Sequence, residues 1–363
     1  MKDILTKKYL INGPNNIIRL TNGDKIIYIY GDYHLSSEYQ TECIINEKYE
    51  SIDSDKLLNK FMHHEKKIEF DIFIEMDDID FIPETYIYKY NYINSFRKMA
   101  KANIKKDANN KILINNKFPN FRFHFFDIRN HLPINLNRLY NYNGVSFYFP
   151  YSIRTRLNII AQLKDYNIEI NFLINFLEKN DDKLLNKITS NKKINELYND
   201  NIQNIKNLIN DIQKCILLIE KNITINYTLH PLINNNAFNI LYDIYINYET
   251  IICKYRYYIV LIADLFLLRR VLDKSYIKKS IIYTGAFHFT NITFILVKYF
   301  NFKITNLYYS KDMKIDNINT FISKNTYNSN NIYNLLYNHL TNTNEHGDII
   351  QCSNLFDFPN NFL

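Results

Sequence analysis

The chain has 363 residues, of which 47% are hydrophobic and 22% charged, and its 44 basic and 37 acidic side chains give a net charge of +7. This balance is ordinary for a globular protein with a large core and one or two domains. The basic residues are scattered without a long basic block, so the charge predicts no specific nucleic-acid partner. Asparagine, isoleucine, lysine and tyrosine are abundant, which indicates an AT-rich genome.

The sequence predicts no membrane-spanning segment. The first residues lack the apolar core of a secretory signal, and the most apolar run, residues 257–268, is too short to span a bilayer and contains Asp264. The cysteines lie too far apart for a zinc or redox motif; they are Cys43, Cys215, Cys253 and Cys352. So few cysteines predict buried thiols in a reducing compartment.

Three strands are predicted in the first part of the chain. Residues 26–30 form a continuous apolar run, which is typical of a strand buried on both faces of a parallel sheet. Residues 70–75 and 121–127 are the second and third candidate strands, and each ends at a polar residue capable of chemistry, Glu75 and Asp127. A helix is predicted over residues 87–102, between the second and third strands.

A long helical block follows, and then the strand pattern returns. Residues 153–273 carry apolar side chains at helical spacing, and they form either an insertion or lid on the sheet or a further part of the helical shell. Strands are predicted over 280–284 and 302–309, with a helix over 291–300 between them. Residues 311–363 form a polar tail.

Together these elements predict the fold class and the domain organisation. We expect one α/β domain over residues 1–363, with a mainly parallel central sheet flanked by helices and a large helical insertion. Its strands are concentrated in residues 20–150 and 280–310. Open α/β sheets of this kind usually bind ligands at the carboxyl edge of their strands.

A repeated motif lies at that edge. Two of the six glycines precede a histidine by three residues, Gly31 before His34 and Gly285 before His288, and each pair follows a predicted strand. In a glycine-poor chain this repeat predicts two neighbouring strands that end in sharp turns. Each strand would present one imidazole to a common site.

A glutamate at a third strand end completes a candidate metal site. Two imidazoles and one carboxylate are a common ligand set for zinc, manganese, iron or cobalt. His34, His288 and Glu75 are therefore the predicted ligands of a divalent transition metal, whose bound water would supply a hydroxide. Without a metal, the same histidines and Glu75 would activate water by general-base catalysis.

Asp127 and Arg129 follow the third predicted strand and receive catalytic roles. The guanidinium of Arg129 would stabilise a developing oxyanion or bind a substrate carboxylate or phosphate. Asp127 would orient Arg129 or a histidine, and Asp32 would act in the same way. The alternative for Asp127 and Arg129 is a structural salt bridge, with each other or with Asp264 or Arg269.

Two Gly-x-x-His motifs with a strand-terminal glutamate and an arginine between them resemble the superfamily of erythromycin esterase-like, ChaN-like and TraB/PrgY/TIKI proteins. The matching positions are Gly31, His34, Glu75, Arg129, Gly285 and His288. The resemblance implies a central sheet with helices on both sides, and its characterised members include metal-dependent peptidases and hydrolases that open a lactone ring. Residues 264–270 (Asp-Leu-Phe-Leu-Leu-Arg-Arg) resemble a helix in uncharacterised proteins of giant DNA viruses.

The leading functional hypothesis is a hydrolase of peptide or ester bonds, with or without a metal, that acts on a peptide or a small ester. One alternative is a catalytically inactive interaction protein that binds partners through its helical block. Another is a protein that binds a metal or haem iron without turnover, as the ChaN-like resemblance implies. We expect an intracellular location, in the host cytoplasm or in the virion if the protein is viral.

Overall fold

The structure, a computed structural model, describes residues 9–35, 43, 49–65, 68–76, 91–106, 112–114, 118–135, 149–179, 182–225, 235–325 and 331–359. The chain forms two compact units. The first unit consists of Met1–Asp127 with Arg270–Leu363, and the second unit consists of Ile128–Arg269.

The strands belong to the first unit. They are β1 (Tyr9–Asn12), β2 (Pro14–Asn22), β3 (Lys25–Asp32), β4 (Glu50–Asp53), β5 (Phe70–Ile74), β6 (Ile104–Lys106), β7 (Ile112–Ile114), β8 (Phe121–Phe125), β9 (Lys279–Gly285), β10 (Lys303–Leu307) and β11 (Cys352–Asn354). The helices in chain order are α1 (Ser54–His64), α2 (Tyr92–Asn103), α3 (Ile153–Lys179), α4 (Leu185–Ile188), α5 (Lys192–Lys221), α6 (Asn235–Asp273), α7 (Ala286–Phe300), α8 (Ile315–Lys324) and α9 (Asn331–Leu340).

A six-stranded sheet forms the centre of the first unit, in the order β10-β2-β3-β9-β5-β8. Strands β3, β9, β5 and β8 are parallel neighbours, whereas β2 runs antiparallel to both β3 and β10. Every residue of β5 is buried, as are most residues of β3 and β9, because continuous apolar runs form strands that are covered on both faces. The predicted α/β fold with a mainly parallel sheet flanked by helices is therefore confirmed.

A smaller sheet brings the C-terminal segment into the first unit, in the order β11-β1-β4. Cys352 of β11 forms a disulfide with Cys43, 309 positions away in the sequence. Cys215 is a buried thiol and Cys253 is an exposed one. The prediction of buried thiols is thus wrong for Cys43 and Cys352, which form a disulfide, and for Cys253, which is exposed. The disulfide could not be predicted because pairing between distant segments leaves no local pattern in the sequence.

The second unit is helical. On α3, the fully buried Arg156 donates hydrogen bonds to the carbonyls of Ile223 and Ile225, at 2.7 and 2.8 Å, just beyond the end of α5. A cation is favourable there because the carbonyl dipoles at a helix C-terminus carry partial negative charge. Tyr255 of α6 donates a hydrogen bond to Glu169 of α3 at 2.6 Å. Among the described residues, none of the helices combines the length and apolar character needed to cross a membrane.

The predicted elements fall on observed ones, with differences at their ends. Residues 87–90 of the helix predicted over 87–102 lie outside the described residues, and the remainder belongs to α2. The helix predicted over 291–300 begins already at Ala286. Strand β1 and most of β2 precede residue 20, outside the predicted strand regions, because the asparagines that are abundant throughout the chain obscure the strand pattern.

Candidate functional site

The two Gly-x-x-His motifs lie side by side at the carboxyl edge of the central sheet. Strands β3 and β9 pair in parallel, and Asp32 lies opposite Gly285 in their register. Strand β5 is the other neighbour of β9, and Glu75 follows its last residue. The topology therefore brings His34, Glu75 and His288 to one edge of the sheet from three segments that lie far apart in the sequence.

Glu75 is buried and caps a helix that lies far away in the sequence. Its Oε2 accepts hydrogen bonds from the backbone N–H of Gly285 at 2.7 Å and from the hydroxyl of Thr284 at 3.2 Å. Gly285 is the N-cap residue of α7 and supplies no side-chain cap of its own. The Glu75 carboxylate therefore stabilises the positive end of this helix, which explains why α7 begins earlier than its own sequence predicts.

His34 occupies a tight turn directly after β3. Its φ of 58° is in the left-handed region, and its backbone N–H donates to Asp32 Oδ1 at 2.6 Å, as in an Asx-turn. From this turn the imidazole places Nε2 3.5 Å from Glu75 Oε2 and Nδ1 3.9 Å from Asp32 Oδ1. The side chain retains 36% of its exposure, whereas both carboxylates are buried.

His288 lies in the first turn of α7 and contacts the other oxygen of the same carboxylate. Its Nε2 is 3.4 Å from Glu75 Oε1, and its side chain is almost fully buried. The ring of Phe126 contacts the imidazole edge to face, with centroids 5.8 Å apart. Glu75 thus has one imidazole at each oxygen, a solvent-accessible ring at Oε2 and a buried ring at Oε1.

Both glycines of the repeated motif permit a close approach between the two motifs. A Cβ at Gly285 would lie 2.7 Å from His34 Nε2 and 3.2 Å from Glu75 Oε2, so a larger residue would displace the imidazole. A Cβ at Gly31 would lie 2.8 Å from the ring of Phe289, the residue after His288. The absence of a Cβ at Gly285 therefore accommodates the ring of His34, and its absence at Gly31 accommodates the ring of Phe289.

Burial and charge act in opposite directions on the carboxylates of the site. Burial alone would raise the pKa of Glu75, but the charge of His288 and hydrogen bonds from His288 and His34 outweigh it and hold the pKa well below 4.5. Burial dominates at Asp32 and raises the pKa of that carboxyl above 3.8, although His34, Tyr283 and Gln351 oppose the shift. Glu75 is therefore an anion at neutral pH.

A divalent metal would require His34, Glu75 and His288 to direct donor atoms at one point. The two imidazoles instead face different oxygens of Glu75. In the part of the chain that the structure describes, no group of three or more histidine, cysteine, aspartate or glutamate side chains is arranged to bind a metal ion. The side chains as placed do not fit a metal site, and the predicted metal stays a prediction for metal analysis to test.

The two remaining predicted catalytic residues, Asp127 and Arg129, fall on different units. The backbone N–H of Asp127 donates to the carbonyl of Met76 at 3.1 Å, so Asp127 lies at the same sheet edge as Glu75. Arg129 is buried in the second unit, at the start of a short 3₁₀-helix formed by Arg129–His131. The catalytic roles assigned to both residues stay predictions.

A different arginine contacts Glu75 within the first unit. Arg97 of α2 donates Nε–H and Nη2–H to the backbone carbonyl of Glu75, at 2.8 and 2.6 Å. Its Nη1 donates to Asn94 at 3.1 Å. Arg97 is not among the predicted site residues, because no motif marks it and only the packing of α2 brings it to the end of β5.

A second cluster of a histidine and a carboxylate lies elsewhere in the same sheet. Asp71, near the start of β5, accepts two hydrogen bonds from Arg122 at 2.8 and 2.7 Å and one from His124 at 2.6 Å. Asp71 is fully buried and His124 nearly so. Burial lowers the pKa of His124. This cluster is closed by direct, short hydrogen bonds to the carboxylate.

The fold and the site define an α/β protein with a histidine–glutamate–histidine cluster at the carboxyl edge of its sheet. The chain belongs to the family of unknown function DUF5847, whose model matches residues 9–216 and 182–363. It is 29% identical to Uncharacterized protein R161 of Acanthamoeba polyphaga mimivirus, over 97% of this chain and 98% of the relative. It is 28% identical to Uncharacterized protein R706 of the same virus, over 83% of this chain and 87% of the relative. No solved structure shows significant similarity to the chain.

These comparisons confirm the predicted likeness to uncharacterised proteins of giant DNA viruses. They identify the family without assigning an activity to it. The resemblance to the erythromycin esterase-like superfamily stays a prediction, carried by the two Gly-x-x-His motifs, Glu75 and Arg129.

Proposed function

We propose that the protein hydrolyses an ester or peptide bond, with His34 as the general base that activates water. The observation that carries the proposal is the accessible imidazole of His34 beside a buried, anionic Glu75, with Nε2 3.5 Å from Oε2. At 3.5 Å this contact is a long hydrogen bond at most, so a water molecule that reaches the accessible edge of the ring can replace it at Nε2. The negative charge of Glu75 stabilises the imidazolium that forms when His34 accepts a proton.

The proposed reaction balances with water as the second substrate. Nε2 of His34 accepts a proton from water while the water oxygen forms a bond to the carbonyl carbon, and the carbonyl electron pair moves to its oxygen. When this oxyanion collapses, the bond to the alcohol or amine breaks, and the leaving group takes the proton from His34. When water replaces the Glu75 contact at Nε2, the nearest carboxylate to Nδ1 is Asp32 Oδ1 at 3.9 Å. In the proposed reactive state this carboxylate favours the proton on Nδ1, which leaves the lone pair on Nε2 for the water.

Other residues support the two reacting groups. His288 fixes Glu75 from its second oxygen, and Arg97 fixes the backbone carbonyl of the same residue. Arg129 remains our candidate for stabilising the oxyanion, on the sequence pattern alone. The proposed substrate class, a peptide or a small ester, is the one that the resemblance to the erythromycin esterase-like superfamily implies, and it suits water activation at a carbonyl group.

Hydrolysis of defined substrates by the purified full chain tests the proposal. The panel consists of 4-methylumbelliferyl esters of increasing acyl length, aliphatic lactones and a fluorogenic peptide library. We expect His34→Gln to lower kcat/KM about 10³-fold on any substrate that is turned over, because a general base contributes roughly 10²–10⁴-fold. His63→Gln is the matched control, since His63 is an exposed histidine on α1, and it should leave the rate unchanged.

Metal analysis of the same samples separates the alternative functions. Activity that requires manganese, cobalt or zinc, with stoichiometric metal that is lost in the His34→Gln, His288→Gln double variant, would replace the metal-free mechanism with a metal-assisted one. Bound haem, detected by its absorbance, would favour iron binding. No turnover of any substrate, with or without added metal, would contradict the hydrolase proposal and favour an inactive interaction protein.

A further inference from the structure

The side chain of Gln351 connects the C-terminal segment to the candidate site. Gln351 precedes β11 and is 1% exposed. Its amide nitrogen donates two hydrogen bonds, to the carbonyl of Gly13 at 2.6 Å and to Asp32 Oδ1 at 2.7 Å. The oxygen of Asp32 that Gln351 contacts is the one that accepts the backbone N–H of His34 at 2.6 Å.

Asp32 is the centre of this buried network. Its Oδ2 accepts a hydrogen bond from the hydroxyl of Tyr283 at 2.7 Å, and that hydroxyl also lies 3.2 Å from Ser54 Oγ. The Asp32 carboxylate therefore has a donor from three separate segments: His34 on its own turn, Tyr283 on β9 and Gln351 before β11. A buried carboxylate with donors on both oxygens has one favoured orientation, and so has the turn that depends on it.

We propose that Gln351 is a positioning residue of the candidate site. By orienting Asp32, it stabilises the left-handed conformation of His34 from which the imidazole reaches Glu75. The proposal rests on the proposed function of His34 as general base. It assigns to the C-terminal segment a role in the site, beyond the packing of a small sheet.

The local backbone is built for this contact. Gly13 has a φ of +120°, and a Cβ there would lie 2.9 Å from both Ser54 Oγ and Tyr283 Oη. Gly13 also donates its N–H to the backbone carbonyl of Gln351 at 3.1 Å. Only a glycine fits this position, and its absence of a side chain lets the β1–β2 corner, Gln351 and Asp32 meet in one place.

A matched pair of variants tests the proposal. Gln351→Met keeps the length of an unbranched side chain and removes both donors. The control is Asn15→Ala: Asn15 exchanges hydrogen bonds with Asn342 and donates to the carbonyl of Ile350, so it anchors the same segment but does not contact Asp32. A purely structural role predicts similar effects of both variants, whereas a positioning role predicts that only Gln351→Met affects His34.

Two measurements are made on the folded variants, whose thermal unfolding is recorded first. Imidazole ¹⁵N resonances, with His34 assigned through His34→Gln, should shift for His34 in Gln351→Met and stay in place in Asn15→Ala. On a substrate of the wild-type protein, Gln351→Met should lower kcat about tenfold or more with little change in KM, because a displaced base loses alignment with the reacting atoms. Asn15→Ala should retain kcat.

Each outcome bears on the proposal. Unchanged His34 resonances in Gln351→Met, or equal changes in both variants, would overturn it. Gln351→Glu, which keeps the shape and lacks the amide donors, serves as the second variant; failure of both Gln351 variants to fold while Asn15→Ala folds would assign Gln351 to folding alone and also overturn it. If the wild-type protein hydrolyses nothing, the proposed function fails, but the resonances still decide whether Gln351 positions His34.

Discussion

Strand β5 has a buried carboxylate near each of its ends: Asp71 is its second residue, and Glu75 follows its last residue. The two carboxylates differ in the side chains that contact them. Asp71 accepts both arms of Arg122, at 2.8 and 2.7 Å, and a hydrogen bond from His124 at 2.6 Å. Glu75 faces His34 and His288 at 3.5 and 3.4 Å, and the first of these rings is accessible to solvent. Both ends thus combine a buried carboxylate with histidine, but only the Glu75 end has an imidazole that solvent reaches.

The difference shows which features make such a cluster suitable for chemistry. A guanidinium keeps its charge at all relevant pH values, and its two parallel hydrogen bonds saturate Asp71. The imidazoles at Glu75 make longer contacts with the carboxylate, and the His34 ring is accessible to solvent. A histidine beside a carboxylate is therefore a structural pair at one end of β5 and a candidate catalytic pair at the other.

The largest expected effect is a difference in kcat/KM between a variant of Glu75 and a variant of Asp71. Glu75→Gln should lower kcat/KM about 10³-fold on a substrate of the wild-type protein, because the neutral amide no longer stabilises the imidazolium of His34. Asp71→Asn should change kcat/KM less than about threefold, since Asp71 lies at the other end of the strand. Equal losses in the two variants would contradict the assignment of the active site to the Glu75 end.

For stability the expected order is the reverse: the variant at Asp71 should lose more free energy of unfolding than the variant at Glu75. Asp71→Ala should lower the free energy of unfolding by about 3 kcal/mol, because it leaves Arg122 and His124 without the carboxylate that they share. Glu75→Gln should cost about 1 kcal/mol, since the amide oxygen can still accept the hydrogen bonds of Gly285 and Thr284. Urea unfolding of the two variants and the wild-type protein measures both values, and a larger loss in Glu75→Gln than in Asp71→Ala would contradict this order.

The glycines permit a finer test of the Glu75 end. Gly285→Ala and Gly31→Ala should each lower the free energy of unfolding by about 1–3 kcal/mol, because each added methyl group meets a packed ring. Only the methyl group at Gly285 meets His34, so Gly285→Ala should lower kcat about tenfold more than Gly31→Ala does. Activity and unfolding are measured on the same preparations, and similar kcat values for the two variants would contradict the close approach of the His34 imidazole to Gly285.

The smallest expected effect is a change in acid sensitivity. The pKa of Glu75 in the folded protein lies well below 4.5, so its ionisation stabilises the fold fully above pH 4.5 and loses this effect as the pH falls further. Burial also opposes the ionisation of Asp71, but hydrogen bonds from Arg122 and His124 lower the pKa of Asp71 below 3.8. The free energy of unfolding should therefore depend less on pH below 4.5 in Glu75→Gln, and below 3.8 in Asp71→Asn. Parallel curves for wild type and Glu75→Gln would contradict a lowered pKa of Glu75 in the folded protein.

Much of the central sheet could be predicted because its strands are encoded locally. Residues 26–30 form a continuous apolar run, residues 70–75 are apolar apart from Asp71 and Glu75, and residues 280–284 have an apolar centre. Such runs form strands covered on both faces wherever they occur in a chain. The polar residue at the end of each run is visible in the same way. His34 and Glu75 were therefore recognisable as strand-end residues, together with His288 after the third run.

Other parts of the site could not be predicted because their partners come from unrelated segments. Arg97 reaches Glu75 only through the packing of α2, and Gln351 reaches Asp32 through the pairing of β11 with β1. The disulfide between Cys43 and Cys352 belongs to the same class of contact. No local pattern in the sequence distinguishes these side chains from the many others of their type.

The amino-acid sequence by itself determined the parallel core strands and the positions of His34, Glu75 and His288 at or after the ends of three of them. These features follow from local runs of apolar residues and from the polar residue at the end of each run. Only the tertiary structure decided which carboxylate is saturated by arginine and which faces imidazoles at a distance, because that choice depends on how elements from both ends of the chain pack around β5.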